Sequence, residues 1–123
     1  MVYSPLAVGL LSGAYSPGRE PPAGSLWGRM EWGLFDTATS GDDAAVLETV
    51  RGIAAGRGKT VAQVALNWVL SHLEVTVAIS GSDTGEQIDD NLGAVRWELT
   101  AEEPARLDEV SSARRRWEQP GPV

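Results

Sequence analysis

The chain has 123 residues, of which 42% are hydrophobic, with no cysteine and one histidine. That is enough for one domain with a buriable core, and it excludes disulfides, thiolate metal sites, cysteine nucleophiles and multi-histidine metal centres within the chain. The formal net charge is −7, and the stretch from Asp83 to Glu109, with nine acids and two bases, carries all of it; such a surface argues against nucleic-acid binding.

Met1–Ser4 is a short apolar run stopped by Pro5, the pattern of a strand end. Residues 5–41 are rich in Gly, Pro and Ser and read as one long loop of the kind that forms lids. Trp27, Met30, Trp32, Leu34 and Phe35 imply that this loop packs on something. Asp42–Arg57 follows as a helix. Ala45, Val46, Val50, Ile53 and Ala54 form its apolar face, two acids sit at its N-terminus, and Gly58 ends it. Thr60 is placed to cap a second helix, Val61–His72, with Gln63 completing a capping box. Its stripe is Val61, Val64, Ala65, Trp68 and Val69.

Val75–Ile79 (VTVAI) is β-branched with little polar alternation, the pattern of a parallel strand buried on both faces. Thr84 is placed to cap a helix from Gly85 to about Ala94, and Thr100 another from Ala101 to about Ser112. Pro104 falls in the first turn of the last helix, where it is tolerated. The order is strand, long loop, two helices, strand, two helices: an α/β chain with two parallel strands. Residues 112–123, with Arg114, Arg115 and Arg116, read as a flexible, solvated tail of a single domain spanning 1–123. No run of 18 apolar residues occurs, so no membrane span is expected. Met1 leads into an apolar segment without a basic region, and a cytoplasmic location is the expectation.

Two segments resemble a known family. Tyr3-Ser4-Pro5-Leu6-Ala7-Val8-Gly9-Leu10-Leu11-Ser12-Gly13 is similar to the segment after the seventh barrel strand of aldo-keto reductases, including potassium-channel β subunits. Ser80-Gly81-Ser82-Asp83-Thr84-Gly85-Glu86-Gln87-Ile88-Asp89-Asp90-Asn91-Leu92-Gly93-Ala94 looks like the eighth-strand cofactor loop and helix of that family. The sequences TVAQVALNWVLS and LTAEEPARLDEVS fit the same template. The resemblance implies NADP-dependent carbonyl reduction in a (β/α)8 TIM barrel. A complete barrel needs about 200–250 residues, so the expected fold is a partial barrel: the last two parallel strands, about four helices and a long N-terminal loop.

Carried over by position, the resemblance places Tyr3 against a nicotinamide. It lays Ser4, Pro5, Leu6 and Gly9 along a pyrophosphate, and sets Gly81, Asp83, Gln87, Asp90 and Asn91 around an adenosine. A helix N-terminus after a glycine-bearing turn suits a phosphate, and Gln87 and Asn91 share a helix face. The Asp, Tyr, Lys and His tetrad of the family lies before this segment. No catalytic residue carries over and no metal site is implied; Lys59 and His72, the only residues of their kinds, fall outside the inherited site, and Tyr15 lies in the long loop.

The chain also has Ala14 where the family often has Lys, Leu26 where it often has Arg, and Asp83 where it often has Arg or Ser. Each change removes a phosphate partner, and an acid at the adenosine end favours NAD over NADP. Three functional expectations follow. The first is a C-terminal reductase part whose NADP or NAD site is retained or lost and which reduces no carbonyl alone. The second is a repurposed non-redox enzyme (cyclase, isomerase or dehydratase) with an apolar pocket and acids such as Glu31, Asp36 or Asp90. The third is an assembly component, pairing its open strand edges in a homo-oligomer or with a complementing barrel half.

Overall fold

The computed structural model of the chain describes residues 1–16, 18–29, 35 and 39–112. The readings made on Met30, Glu31, Trp32, Leu34, Asp36 and the arginine tail lie outside the described residues. The element order is β1 (Val2–Tyr3), single 3-10 turns at Leu10–Ser12 and Trp27–Arg29, α1 (Gly41–Arg57), α2 (Val61–Leu70), β2 (Ala78–Ile79), α3 (Gly85–Leu92), a 3-10 turn at Gly93–Arg96, and α4 (Glu102–Ser111). β1 and β2 pair in parallel, with Val2 opposite Ala78 and Tyr3 opposite Ile79. Among the described residues the fold is a partial α/β unit with two parallel strands and the four α-helices α1–α4.

The helix boundaries follow local chemistry. The Thr60 and Thr84 hydroxyls accept the backbone N–H groups of Gln63 and Gln87, each at the third helical position. Each bond satisfies a donor that a helix start leaves open. Gly58 closes α1 in the left-handed region at φ 61°, where a side chain would be strained. Two readings at helix starts change. The Gln63 side chain does not fold back on its own cap; it crosses to α3, where its amide donates to the carbonyl and carboxylate of Asp90, both at 3.0 Å. Thr100 contributes its backbone N–H, which donates to the Glu103 carboxylate at 2.8 Å, and α4 begins at Glu102.

α2 is the central helix. It buries Ala62, Val64, Ala65, Leu66 and Asn67, so its buried surface is broader than the expected stripe. The main core joins Val50, Ile53 and Ala54 of α1, Val64 and Ala65 of α2, and Leu107 of α4. In α1, Leu47 is buried and Ala45 is exposed, so the buried face is rotated from the expected one. Asn67 is 9% exposed and fastens the segment between α3 and α4. Its amide donates to the Ala94 and Trp97 carbonyls at 2.8 and 2.7 Å, and its carbonyl accepts from Leu99 N–H at 3.4 Å.

The expected strand of VTVAI shortens to Ala78–Ile79, and it is not buried on both faces: Val77 is 47% and Ile79 50% exposed. A parallel strand is covered when helices and further strands flank it, and among the described residues β2 has β1 as its only strand partner. His72 is half-buried. It ties the end of α2 to α4 through Asp108 at 3.0 Å, and the Trp68 indole donates to the same carboxylate oxygen at 2.9 Å.

Candidate functional site

A cleft of about 1040 Å³ opens beside the C-terminal ends of the two strands, the end at which parallel α/β sheets bind ligands. Its walls come from three segments: the loop leaving β1, the turn ending at Arg29, and the loop leaving β2 with the first turns of α3.

The first wall is tightly coiled. Ser4, Ala7 and Val8 take left-handed φ values of 52°, 49° and 57°, and Gly9 takes 90°. Such conformations cost a non-glycine residue about 1–3 kcal/mol each and cluster where ligands bind; a β-branched valine there is the costliest of the set. Local bonds hold the coil, among them Ala7 N–H to the Ser4 carbonyl at 2.9 Å and the Ser12 hydroxyl to the Gly9 carbonyl at 2.6 Å.

The second wall is pinned to the first by a long-range contact. The Trp27 indole N–H donates to the Val8 carbonyl at 3.0 Å, and the Trp27 ring meets the edge of Phe35, which is fully buried. The Ser25 hydroxyl donates to the Pro22 carbonyl at 2.6 Å and accepts Gly28 N–H at 3.0 Å. Any Cβ on Gly28 would collide with the Pro22 carbonyl, so the turn needs glycine for close approach rather than for φ.

The third wall is shaped by the polar residues of α3. The Gln87 side-chain carbonyl accepts Asp83 N–H at 2.6 Å. The Asn91 amide donates to the Ser80 and Ser82 hydroxyls at 3.3 and 3.0 Å. The Asp90 carboxylate accepts from the Thr60 hydroxyl at 2.8 and 3.1 Å as well as from Gln63. Gln87 and Asn91 therefore fold the loop onto α3, while Asp90 fastens α3 to the start of α2.

Of the residues singled out in the sequence, Ser4, Pro5, Leu6, Gly9, Gly81, Asp83, Gln87, Asp90 and Asn91 all line this cleft. Tyr3 does not: it is 82% exposed and outside the lining. The departures at Ala14, Leu26 and Asp83 line the cleft too, so all three bear on one surface. The lining residues that were not singled out in the sequence include Tyr15, Glu86 and Arg29. Among the described residues, the formal charges on the wall are the carboxylates of Asp83, Glu86 and Asp90 and the guanidinium of Arg29. Lys59 and His72 stand elsewhere, Lys59 with its ammonium 5.5 Å from the Trp97 ring centre and His72 on Asp108.

Among the described residues no cluster of three or more histidine, cysteine or acidic side chains could hold a metal ion, and no helix is long and apolar enough to cross a membrane.

The profile of the Aldo/keto reductase family matches residues 1–112. The chain is 37% identical over 108 residues to the chloroplastic pyridoxal reductase of Arabidopsis thaliana, covering 86% of this chain and 27% of that protein. It is 38% identical over 113 residues to an uncharacterized oxidoreductase of Mycobacterium tuberculosis, covering 92% and 33%. It is 31% identical over 111 residues to the L-glyceraldehyde 3-phosphate reductase of Escherichia coli O157:H7, covering 89% and 32%. The chain thus spans about a third or less of the length of these relatives.

Proposed function

Since the chain belongs to the aldo/keto reductase family, we propose that it is the C-terminal, dinucleotide-holding part of an NAD(P)H-dependent carbonyl oxidoreductase barrel. The observation that carries this reading is the convergence of Ser4–Gly9 and Gly81–Asn91, 75 or so residues apart in sequence, on one cleft at the strand ends.

The cleft fits a nicotinamide dinucleotide in donor chemistry as well as in room. The coiled Ser4–Gly9 backbone suits a pyrophosphate, with Arg29 as the one guanidinium on the described lining. The capped start of α3 presents backbone N–H groups to an anion, and Asp83 is suited to accept ribose hydroxyls. An acid at that position repels a 2′-phosphate, so NAD is preferred over NADP. When bound and reduced, the cofactor supplies the hydride for carbonyl reduction.

Residues 1–123 supply the binding and not the proton transfer. Their one lysine and one histidine, Lys59 and His72, are engaged away from the cleft. Isothermal titration of the chain with NAD⁺ and NADP⁺ tests this. Saturable NAD⁺ binding tighter than NADP⁺, without turnover of a generic aldehyde, is expected. Aldehyde reduction by the 123 residues alone, or no dinucleotide binding at millimolar concentration, would refute it.

A second reading concerns assembly and rests on a separate observation. Val77 just before β2, Ile79 on it, Ile88 and Leu92 on α3, and Val95 beyond it are 47–67% exposed. Val77 and Ile79 are two residues apart in extended chain, and Ile88 and Leu92 share one helix face. Open strand edges and apolar surface of this kind favour association, and a complementing barrel half is the proposed occupant. Sedimentation of the chain mixed with the N-terminal two-thirds of a relative is expected to give a 1:1 complex; independent sedimentation of the two would sink this reading.

A further inference from the structure

We infer that Arg29 is the anion-holding side chain of the cleft, and that its guanidinium receives the pyrophosphate of the dinucleotide. This inference rests on the dinucleotide reading above and names a residue for it that neither motif contains.

The cleft wall carries carboxylates at Asp83, Glu86 and Asp90. An unassisted dianionic ligand entering there meets repulsion in a confined space, where charge interactions are stronger than in water. The Asp90 charge is partly offset because its carboxylate accepts from the Thr60 hydroxyl and from the Gln63 amide. Asp83 and Glu86 flank the start of α3, and Arg29 lies on a different wall. The lining is therefore divided between an acidic part suited to hydroxyls and a part with a single cation suited to phosphate.

Arg29 reaches this position because the backbone beneath it is fixed. Its own N–H is bonded to the Ser25 and Leu26 carbonyls, each at 3.2 Å. Two residues earlier, Trp27 locks the turn to Val8, in the same strained coil that would run along the pyrophosphate. Among the described residues its guanidinium makes no hydrogen bond or ion pair, and no cation-π contact. It is thus held at the cleft and, among the described residues, without a side-chain partner. A planar guanidinium forms paired hydrogen bonds to phosphate oxygens that an ammonium cannot match.

The test is calorimetric titration of the wild-type chain, Arg29→Ala and Arg29→Lys with NAD⁺, inorganic pyrophosphate and adenosine, at two salt concentrations. Arg29→Ala is expected to weaken NAD⁺ and pyrophosphate at least tenfold, to flatten their salt dependence and to leave adenosine affinity unchanged. Arg29→Lys is expected to recover part of the loss. The melting temperatures of both variants should match wild type, because the side chain makes no hydrogen bond, ion pair or cation-π contact among the described residues. NAD⁺ affinity of Arg29→Ala within twofold of wild type would overturn the assignment and leave the dinucleotide reading standing. Pyrophosphate binding through Arg29 without any NAD⁺ binding would overturn the dinucleotide reading and keep the anion role. Binding of neither probe by the wild type would overturn both.

Discussion

Asn67→Ala is expected to be the most damaging polar substitution in the described core. Asn67 sits on α2, and its amide holds the Ala94 and Trp97 carbonyls at 2.8 and 2.7 Å while its oxygen takes Leu99 N–H at 3.4 Å. The three contacts fix its orientation, since a reversed amide would set its oxygen against two carbonyls. Alanine removes two well-formed bonds worth about 1–1.5 kcal/mol each and one long bond worth less. It also leaves the Ala94 carbonyl without this partner inside the protein, at a residue 1% exposed. The total is about 3 kcal/mol, or roughly 12 °C in Tm at about 4 °C per kcal/mol for a domain of this size. Asn67→Asp should cost more at neutral pH, because a carboxylate would face the two carbonyls with no proton to give. Thermal and urea unfolding followed by circular dichroism measures both. A loss below about 1 kcal/mol for Asn67→Ala would show that the Gly93–Thr100 segment is held by its apolar packing and not by this amide.

Leu107→Ala opens the junction of α1, α2 and α4 at a residue with no solvent exposure, and about 3 kcal/mol of lost stability is expected by urea unfolding. Trp97→Phe should be neutral or slightly stabilising: the indole N–H is buried without a partner among the described residues, and phenylalanine keeps a ring beneath the Arg57 and Lys59 cations. Thr60→Val removes both the cap of α2 and the bond to Asp90. It is expected to cost about 1–2 kcal/mol in thermal unfolding and to weaken NAD⁺ binding in the same preparation, because α3 loses part of its tether.

What could be read from the sequence was local. Thr60 and Thr84 before helical runs, and Gly58 after one, mark helix ends through bonds that span three or four residues. The two loops that share the cleft could be read because each carries a recognisable run of residues after a strand. Asn67 gave no signal, since its three partners lie about 27 to 32 residues away and an asparagine within a helix reads as surface. The polar groups of α3 had a signal with the wrong emphasis: Gln87 and Asn91 do share a face, but they spend their hydrogen bonds on the loop itself. Arg29 could not be placed because its position depends on the 19-residue bridge from Trp27 to Val8. The length of β2 was overstated for a related reason, since β-branched composition reports what a strand can bury and not whether neighbours cover it.

Backbone amide mapping by NMR tests the central claim most directly. On titrating NAD⁺ into the isotope-labelled chain, shifts should concentrate in Ser4–Gly9 and Ser80–Asn91, with the Trp27 indole N–H moving beside them. The face formed by α1 and α4, which lies away from the cleft, should stay still. Saturable shifts confined to that far face, or none at millimolar NAD⁺, would contradict a dinucleotide site at the strand ends.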